Sequence, residues 1–371
     1  MKIICSKNNL LKSVNISLKA VPSKTTMPIL ECILIDASTN HIKFTTNDME
    51  LGIETIVEGQ IAEKGKIALD AKIFYEIIRR LPDNDVTIHT DSNYVATITC
   101  EKAKFTIPGK DGEDFAYLPL IEREESLTIS QFTLKEMIRQ TLFSIALNDN
   151  NRLMTGELFE IKDNCLKIVS LDGHRISIRR MPLKREYSDK KIVVPGKTLS
   201  EISKILSGEV DDQVSIYFTK NHILFEFNQT IVVSRLIEGE YFRIDQMLSS
   251  DYDTKLSINK KEFLDCIDRA TLLVREGDKK PIVIDITDGS MELRIDSAMG
   301  SMNEEIDIVK EGKDITIGFN PKFLIDALKV IEDETITMYL MNPKAPCFIR
   351  DDEETYTYLI LPVNISQNQT R

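Results

Sequence analysis

The sequence predicts an α+β fold: three tandem copies of a domain built from two helices and an antiparallel sheet. Three observations predict it. A helix carrying a lysine, an acid and a base recurs at one spacing, with Lys72, Lys197 and Lys322 each 125 residues apart. Aspartates that end a strand, Asp48, Asp172 and Asp296, recur every 124 residues. Short alternating runs such as KLSIN, HILFEFN and TYTYLIL fill the intervals, the pattern of half-buried antiparallel strands. Self-similarity at a fixed period marks a repeated structural unit.

Each copy opens on an amphipathic helix: NNLLKSVNISLKAV (8–21), KEMIRQTLFSIAL (135–147) and KEFLDCIDRATLLV (261–274). Leu10, Met137 and Phe263 hold equivalent places on it, as do Leu11, Ile138 and Leu264. A strand ending in aspartate follows: KFTTND, KIVSLD and ELRID. The second helix comes next, in IALDAKIFYEIIRRL, IVVPGKTLSEISKIL and IGFNPKFLIDALKVI. Phe74, Ile77, Ile78 and Leu81 form its apolar stripe in the first copy, at i, i+3, i+4 and i+7. The lysine, the acid (Glu76, Glu201, Asp326) and the base (Arg79, Lys204, Lys329) share the opposite face. Asp70 and Asn320 suit helix caps, and Pro195 and Pro321 suit helix starts. An acidic turn and a strand close the pattern: DNDVTIH, DDQVSIY and EDETITM. Junctions are expected near 118–130 and 242–256, giving domains 1–125, 126–250 and 251–371.

Composition bounds the function. The chain has 371 residues, 42% of them hydrophobic and 29% charged, an ordinary globular composition. Its net charge of −12 argues against a nonspecific nucleic-acid coat protein, though an acidic protein can carry one basic surface. The six cysteines are scattered, without a CxxC pair, so reduced thiols in a cytoplasmic protein are expected rather than zinc or disulfides. The opening MKIICSKNNLLKS lacks a long apolar stretch, so no secretory leader is expected. No cofactor or metal is expected.

Two strings invite a sharper chemistry. Gly196-Lys197-Thr198 ends like a phosphate-binding loop, but that motif needs a second glycine five residues earlier, where Lys191 stands. The GKT therefore reads as the first turn of the second copy's second helix. The other string is SLDGHRI (170–176). Only the middle copy has Gly-His-Arg after its aspartate, and symmetry broken in one copy suggests a function placed there. A hydrolase at this loop would use His174 as base and Asp172 as its orienter, yet no nucleophile motif accompanies them. An exposed histidine in a plain turn is the simpler alternative.

The three-copy register, with TTMPIL, TGELFE, SLDGHRI, RLIEGEYF and LILPV, resembles the bacterial DNA sliding clamp family, the beta subunit of the replicative DNA polymerase III. The resemblance covers the whole chain. It implies the DNA clamp fold, one half of a six-domain ring, with no catalysis: a head-to-tail homodimer encircling double-stranded DNA. It implies partners in the replicative polymerase, the clamp loader, and other DNA polymerases or repair proteins, bound through short linear motifs. It places the protein in the cytoplasm, associated with the nucleoid.

By the same resemblance, a client-peptide groove is lined by Met154, Leu171, Gly173, His174, Arg175, Ile176, Phe242, Gln246, Met247, Pro346, Leu359, Ile360, Leu361, Pro362 and Val363. Lys24, Lys72, Arg79, Arg80, Lys135, Arg139, Arg152, Lys197, Lys204, Lys322 and Lys329 would face DNA, drawing phosphates without reading bases. Phe105 and Ile107, with Leu272 and Leu273, would form the dimer interface. The family usually has proline at Phe242, arginine at Gln246, and often arginine at Asn364, so the groove rim departs from the pattern. A protein-only scaffold is a third reading.

Overall fold

The computed structural model describes residues 1–123, 126–148, 150–249, 251–274 and 280–365. Residues 125 and 250, at the expected domain boundaries, and the tail 366–371 lie outside the described residues. Six α-helices are described, two per copy: α1 (Lys7–Ser17), α2 (Ala71–Arg80), α3 (Gln131–Arg139), α4 (Gly196–Ser203), α5 (Lys260–Thr271) and α6 (Pro321–Leu328).

The helix starts follow from local chemistry. Asp70 accepts a hydrogen bond from the Ile73 amide (2.8 Å), and Asn320 accepts one from Lys322 (3.0 Å) with Pro321 in the first turn. Ser6 and Asn259 cap α1 and α5 in the same way. These side chains satisfy amides that a helix cannot pair internally. Pro195 does not open α4; it ends the strand Lys190–Pro195, and the helix begins at Gly196. The expected helix 135–147 is displaced to Gln131–Arg139. The Thr141 hydroxyl donates to the Met137 carbonyl (2.8 Å), and a 3-10 turn, Leu142–Ser144, follows. Such back-bonding competes with continued helix.

The strands of each copy form two groups of four or more, and the middle copy divides its two groups. One compact unit comprises 1–135 and 197–236, the other 136–196 and 237–371. In the first unit the described strands form one antiparallel sheet of 13. There the middle-copy strand Thr230–Arg235 pairs with Leu51–Val57 of the first copy, Thr230 opposite Thr55. In the second unit the described strands form a sheet of 12. There the middle-copy strand Arg175–Pro182 pairs with Tyr356–Ile360 of the third copy, Ile176 opposite Leu359. The three copies read in the sequence are therefore joined strand to strand.

Helices cover one face of each sheet. In the first unit Leu10 and Val14 of α1 meet Phe74 and Ile78 of α2 over Ile33 and Phe44, with Phe44 edge-on to Phe74 at 6.0 Å. In the second, Phe263 and Ile267 of α5 meet Leu324 and Leu328 of α6 over Ile284 and Leu293. Each such buried side chain contributes about 1.5–3 kcal/mol. The six cysteines are free, and burial pushes the Cys5 and Cys266 thiols up to about 12. No helix among the described residues is long and apolar enough to cross a membrane.

One core residue breaks the pattern. Glu157 is fully buried, and neither carboxylate oxygen has a hydrogen-bond partner among the described residues. Burial pushes its pKa up to about 8; the Thr141 hydroxyl beside it offsets little of this, being committed to Met137. The folded state thus prefers the protonated acid. Its folded pKa lies above its unfolded one, so stability is full below about pH 4.5 and falls as pH rises through about 8. Glu157→Gln should match the parent near pH 4 and exceed it by a few kcal/mol, at about 1.4 kcal/mol per pKa unit, near pH 9. Denaturant titrations at both pH values measure this.

Candidate functional site

The loop at residues 172–175 is built by its aspartate. Asp172 Oδ1 accepts from the amides of His174 (3.0 Å) and Arg175 (3.2 Å), turning the chain between the strands Cys165–Leu171 and Arg175–Pro182. Gly173 sits at φ +84°, a left-handed conformation that a side chain would strain. The first copy makes the same turn: Asp48 Oδ1 accepts from Glu50 (3.0 Å) and Leu51 (2.7 Å). Asp172 is occupied by backbone and by Arg175, not by the His174 ring, which rests 6.0 Å from that of Phe323. A hydrolase pairing of His174 with Asp172 is absent from this arrangement.

Beside the loop lies an apolar floor. Leu171, Ile176 and Leu359 are buried in one cluster with Leu158, Ile178, Ile244, Tyr339 and Phe348, and Met154 and Phe242 pack at its margin. Alternation along the strand explains the set: Leu359 faces this cluster, whereas Ile360 points the other way into the third-copy core. Ile360, expected on the groove wall, is therefore core. Met247 and Gln246 stand exposed at the rim, after the 3-10 turn Ile244–Gln246. The segment 361–363 follows beside the loop: Leu361 donates its amide to the His174 carbonyl (2.8 Å), and Val363 donates to the Gly318 carbonyl (2.8 Å). Leu361 is exposed, and Pro362, Val363 and Pro346 are half-buried.

Arg175, expected in the lining of the groove, is instead 7% exposed and lies beneath the loop. Its Nε donates to Asp172 (3.0 Å), one terminal nitrogen to Asp326 (2.7 Å), and the other to the Phe143 carbonyl (2.6 Å). Phe323 and Phe143 flank its plane at 4.5 and 5.4 Å. A charge this buried needs such partners. Sequence reasoning missed Phe143 and Phe323 here, and placed Asp326 among the solvated acids.

The rim segment has its own anchor. Lys167 bridges buried Glu160 and Asp245, and Lys191 reaches Glu160 at 2.6 Å. Burial pulls the Glu160 carboxyl up, but the two ammonium groups outweigh it and hold it below the usual range. A cavity of about 570 Å³ opens there, walled by Leu158, Val193, Tyr241 and Phe242.

The basic residues divide by partner. Lys24, Lys72, Lys322 and Lys329 are exposed and form no ion pair among the described residues. Arg79 and Arg80 both pair with Glu76, at 2.7 and 2.9 Å, and Lys204 pairs with Glu201 at 2.7 Å. Arg139 pairs with Glu136 (2.6 Å) and Glu332 (3.2 Å). Lys197 is paired with Asp48. Lys135 is half-buried and donates to the Leu206 carbonyl (3.3 Å). Arg152 is exposed on the 3-10 turn Arg152–Thr155. The GKT string is accounted for by packing. A Cβ on Gly196 would lie 2.9 Å from the Thr155 carbonyl oxygen, and the Thr198 hydroxyl meets that of Ser234 at 2.6 Å.

Phe105 is exposed and Ile107 half-buried on the strand Ala103–Lys110. Leu272, just past α5, is 74% exposed, while Leu273 packs partly against the third-copy core. Both places adjoin open strand edges. Residues 103–108 pair on one side with Val95–Cys100, but only 109 and 110 pair with Lys66–Asp70. Residues 300–307 pair with Ser290–Ser297, and only 308–312 pair with Thr254–Asn259.

Comparison with known proteins bears on the whole chain. Three family models match in tandem: the DNA polymerase III beta subunit N-terminal domain at residues 1–119, its central domain at 128–242, and its C-terminal domain at 245–364. The beta sliding clamp of Staphylococcus epidermidis is 32% identical over 374 residues, covering 98% of this chain and 99% of that protein. The beta sliding clamp of Staphylococcus aureus is 33% identical with the same coverage. Among crystal structures, a protein of Eubacterium rectale assigned as a DNA polymerase III beta subunit is 70% identical, with a TM-score of 0.96 over 98% of this chain and all of that one. The DNA polymerase sliding clamp of Bacillus subtilis is 34% identical, with a TM-score of 0.95 over 99% of this chain and all of that one. With three tandem clamp domains matched along its length, the chain belongs to the DNA polymerase III beta subunit family, the bacterial sliding clamps.

Proposed function

We propose that two copies of this chain close head to tail into a six-domain ring that encircles duplex DNA, slides along it, and tethers its clients. The family is a non-catalytic one of processivity factors, and the hydrolase alternative has no support. The domains are 1–125, 126–250 and 251–371. Clients are the replicative polymerase, the clamp loader, and other DNA polymerases or repair proteins, held by short linear motifs at the floor of Leu171, Ile176 and Leu359. The working place is the cytoplasm, on the nucleoid.

One observation carries the ring. Within the chain, Thr230–Arg235 of the middle copy joins Leu51–Val57 of the first, and Tyr356–Ile360 of the third joins Arg175–Pro182 of the middle. By repeat position, the equivalents left over are Ala103–Lys110 of the first copy and Gly300–Gly312 of the third. Each of these has one edge open over part of its length among the described residues. A second copy offers each edge its missing partner. Charge agrees: exposed Lys102 and Lys104 on one side, exposed Glu305 and Asp307 on the other. The apolar residues Phe105, Ile107, Leu272 and Leu273 sit beside these edges.

Lys72, Lys322 and Lys329, exposed and without an ion pair among the described residues, with the partly neutralised Arg79, Arg80, Arg139, Lys197 and Lys204, suit contact with phosphate that is weak enough to slide. Retention then comes from topology. Loaded on nicked circular DNA, the protein should stay bound through a salt wash and leave when the circle is cut; equal loss from cut and uncut circles would contradict the ring. Leu272→Ala with Leu273→Ala should give monomers at low micromolar concentration in sedimentation velocity. A labelled peptide presenting Gln with Leu and Phe anchors should bind with Kd of order 1 μM, about −8 kcal/mol, in an anisotropy titration.

A further inference from the structure

The second helices of the three copies carry an acid at one repeated position, and the three acids do different work. Glu76 takes Arg79 and Arg80 of its own helix, and Glu201 takes Lys204 of its own. Asp326 takes no base of its own helix among the described residues. Its carboxylate receives Arg175 at 2.7 Å, across 151 residues of chain. We propose that Asp326 is a positioning residue for the client groove: it holds Arg175, and through it the Gly173-His174 turn, in the shape that receives a peptide. The inference rests on the groove reading above.

The two joints between copies show why a strut is needed here. At the first, Asp48 caps its turn and pairs directly with Lys197, at the start of α4. At the second, Asp172 caps the equivalent turn, but Arg175 stands between it and Asp326 of α6. Two carboxylates and the Phe143 carbonyl divide the guanidinium donors, and two rings cover its faces. The turn above holds what a client would touch: the His174 ring against Phe323, and the His174 carbonyl that receives the Leu361 amide. Removing one of two carboxylates from a buried arginine leaves one terminal nitrogen without its charged acceptor, and the side chain shifts toward Asp172 or toward water. Residue 175 is also the first of its strand, so its shift is felt at His174 and at Leu361, which His174 holds.

The test uses the full chain with Asp326→Asn and Asp326→Glu. The first removes the charge at nearly constant shape; the second restores it on a longer arm. The probe is the labelled peptide with Gln, Leu and Phe anchors. Independently, the His174 ring is followed by NMR of histidine-labelled protein without peptide; only four histidines need assignment. Asp326→Asn should weaken the peptide about ten-fold, the size of about one lost contact of 1.4 kcal/mol. It should also move the His174 signal away from its ring-shifted place beside Phe323. Asp326→Glu should recover most of both. Peptide binding by Asp326→Asn equal to the parent, or weakened binding in both variants with His174 unmoved, overturns the proposal. Failure of the parent itself to bind peptide sinks the groove reading instead, and an unmoved His174 signal in Asp326→Asn then overturns the strut as well.

Discussion

An antiparallel strand at the edge of a sheet leaves a row of amides and carbonyls without partners, and that single constraint organises this chain. Each copy contributes strands in two groups, and each group ends on an edge. The middle copy gives one edge of each group to a neighbour, Thr230–Arg235 to Leu51–Val57 and Arg175–Pro182 to Tyr356–Ile360, and keeps Ser126–Ser130 and Lys190–Pro195 as sheet ends. This explains why the compact units do not follow the repeats, since pairing a strand outward commits its layer to the neighbouring copy. Besides the sheet-end strands Gln60–Glu63 and Ile315–Phe319, it leaves a half-open strand at 103–108 in the first copy and at 300–307 in the third. The proposed dimer follows from the same rule applied once more.

The joints are polar as well as hydrogen-bonded. At each, an aspartate that ends a strand caps its own turn with one oxygen and reaches a base with the other. A buried or half-buried ion pair adds little net stability, because desolvation offsets attraction, but it is sensitive to register. The middle copy elaborates this joint with Gly173, His174 and Arg175, and the apolar floor opens beside it. The proposed client site therefore lies where two copies meet within one sheet, with the turn held from below by Arg175 and bonded to the Leu361 amide.

The charge distribution reconciles an acidic chain with the proposed hold on DNA. Net charge is −12, yet α2, α4 and α6 carry lysines and arginines at repeated positions. Several are tied to carboxylates of the same helix, which lowers their attraction for phosphate without reversing it. Screening over about 8 Å at physiological salt limits it further. Weak, sequence-blind attraction is compatible with movement along a duplex, whereas tight pairing would arrest it.

Much of this was legible in the sequence because it is local or repeated. The 125-residue spacing of Lys72, Lys197 and Lys322 located α2, α4 and α6, and the caps at Asp70 and Asn320 follow from residue type alone. What escaped depends on partners distant in the chain. Arg175, next to Gly-His, is placed in the groove lining by the resemblance; only the fold brings Asp326, Phe143 and Phe323 around it. Ile360 reads as groove wall beside Leu359, until the strand register sends the two to opposite faces. Division of the middle copy was invisible because either edge of its sheets could have been the paired one. The burial of Glu157 without a partner among the described residues has no signature in spacing. The measurement that bears most directly on the account is the native mass of the wild-type particle. Closure of the open edges by a second copy predicts about 85 kDa, twice the 42.3 kDa chain, persisting at low micromolar concentration; a 42.3 kDa particle there would contradict it.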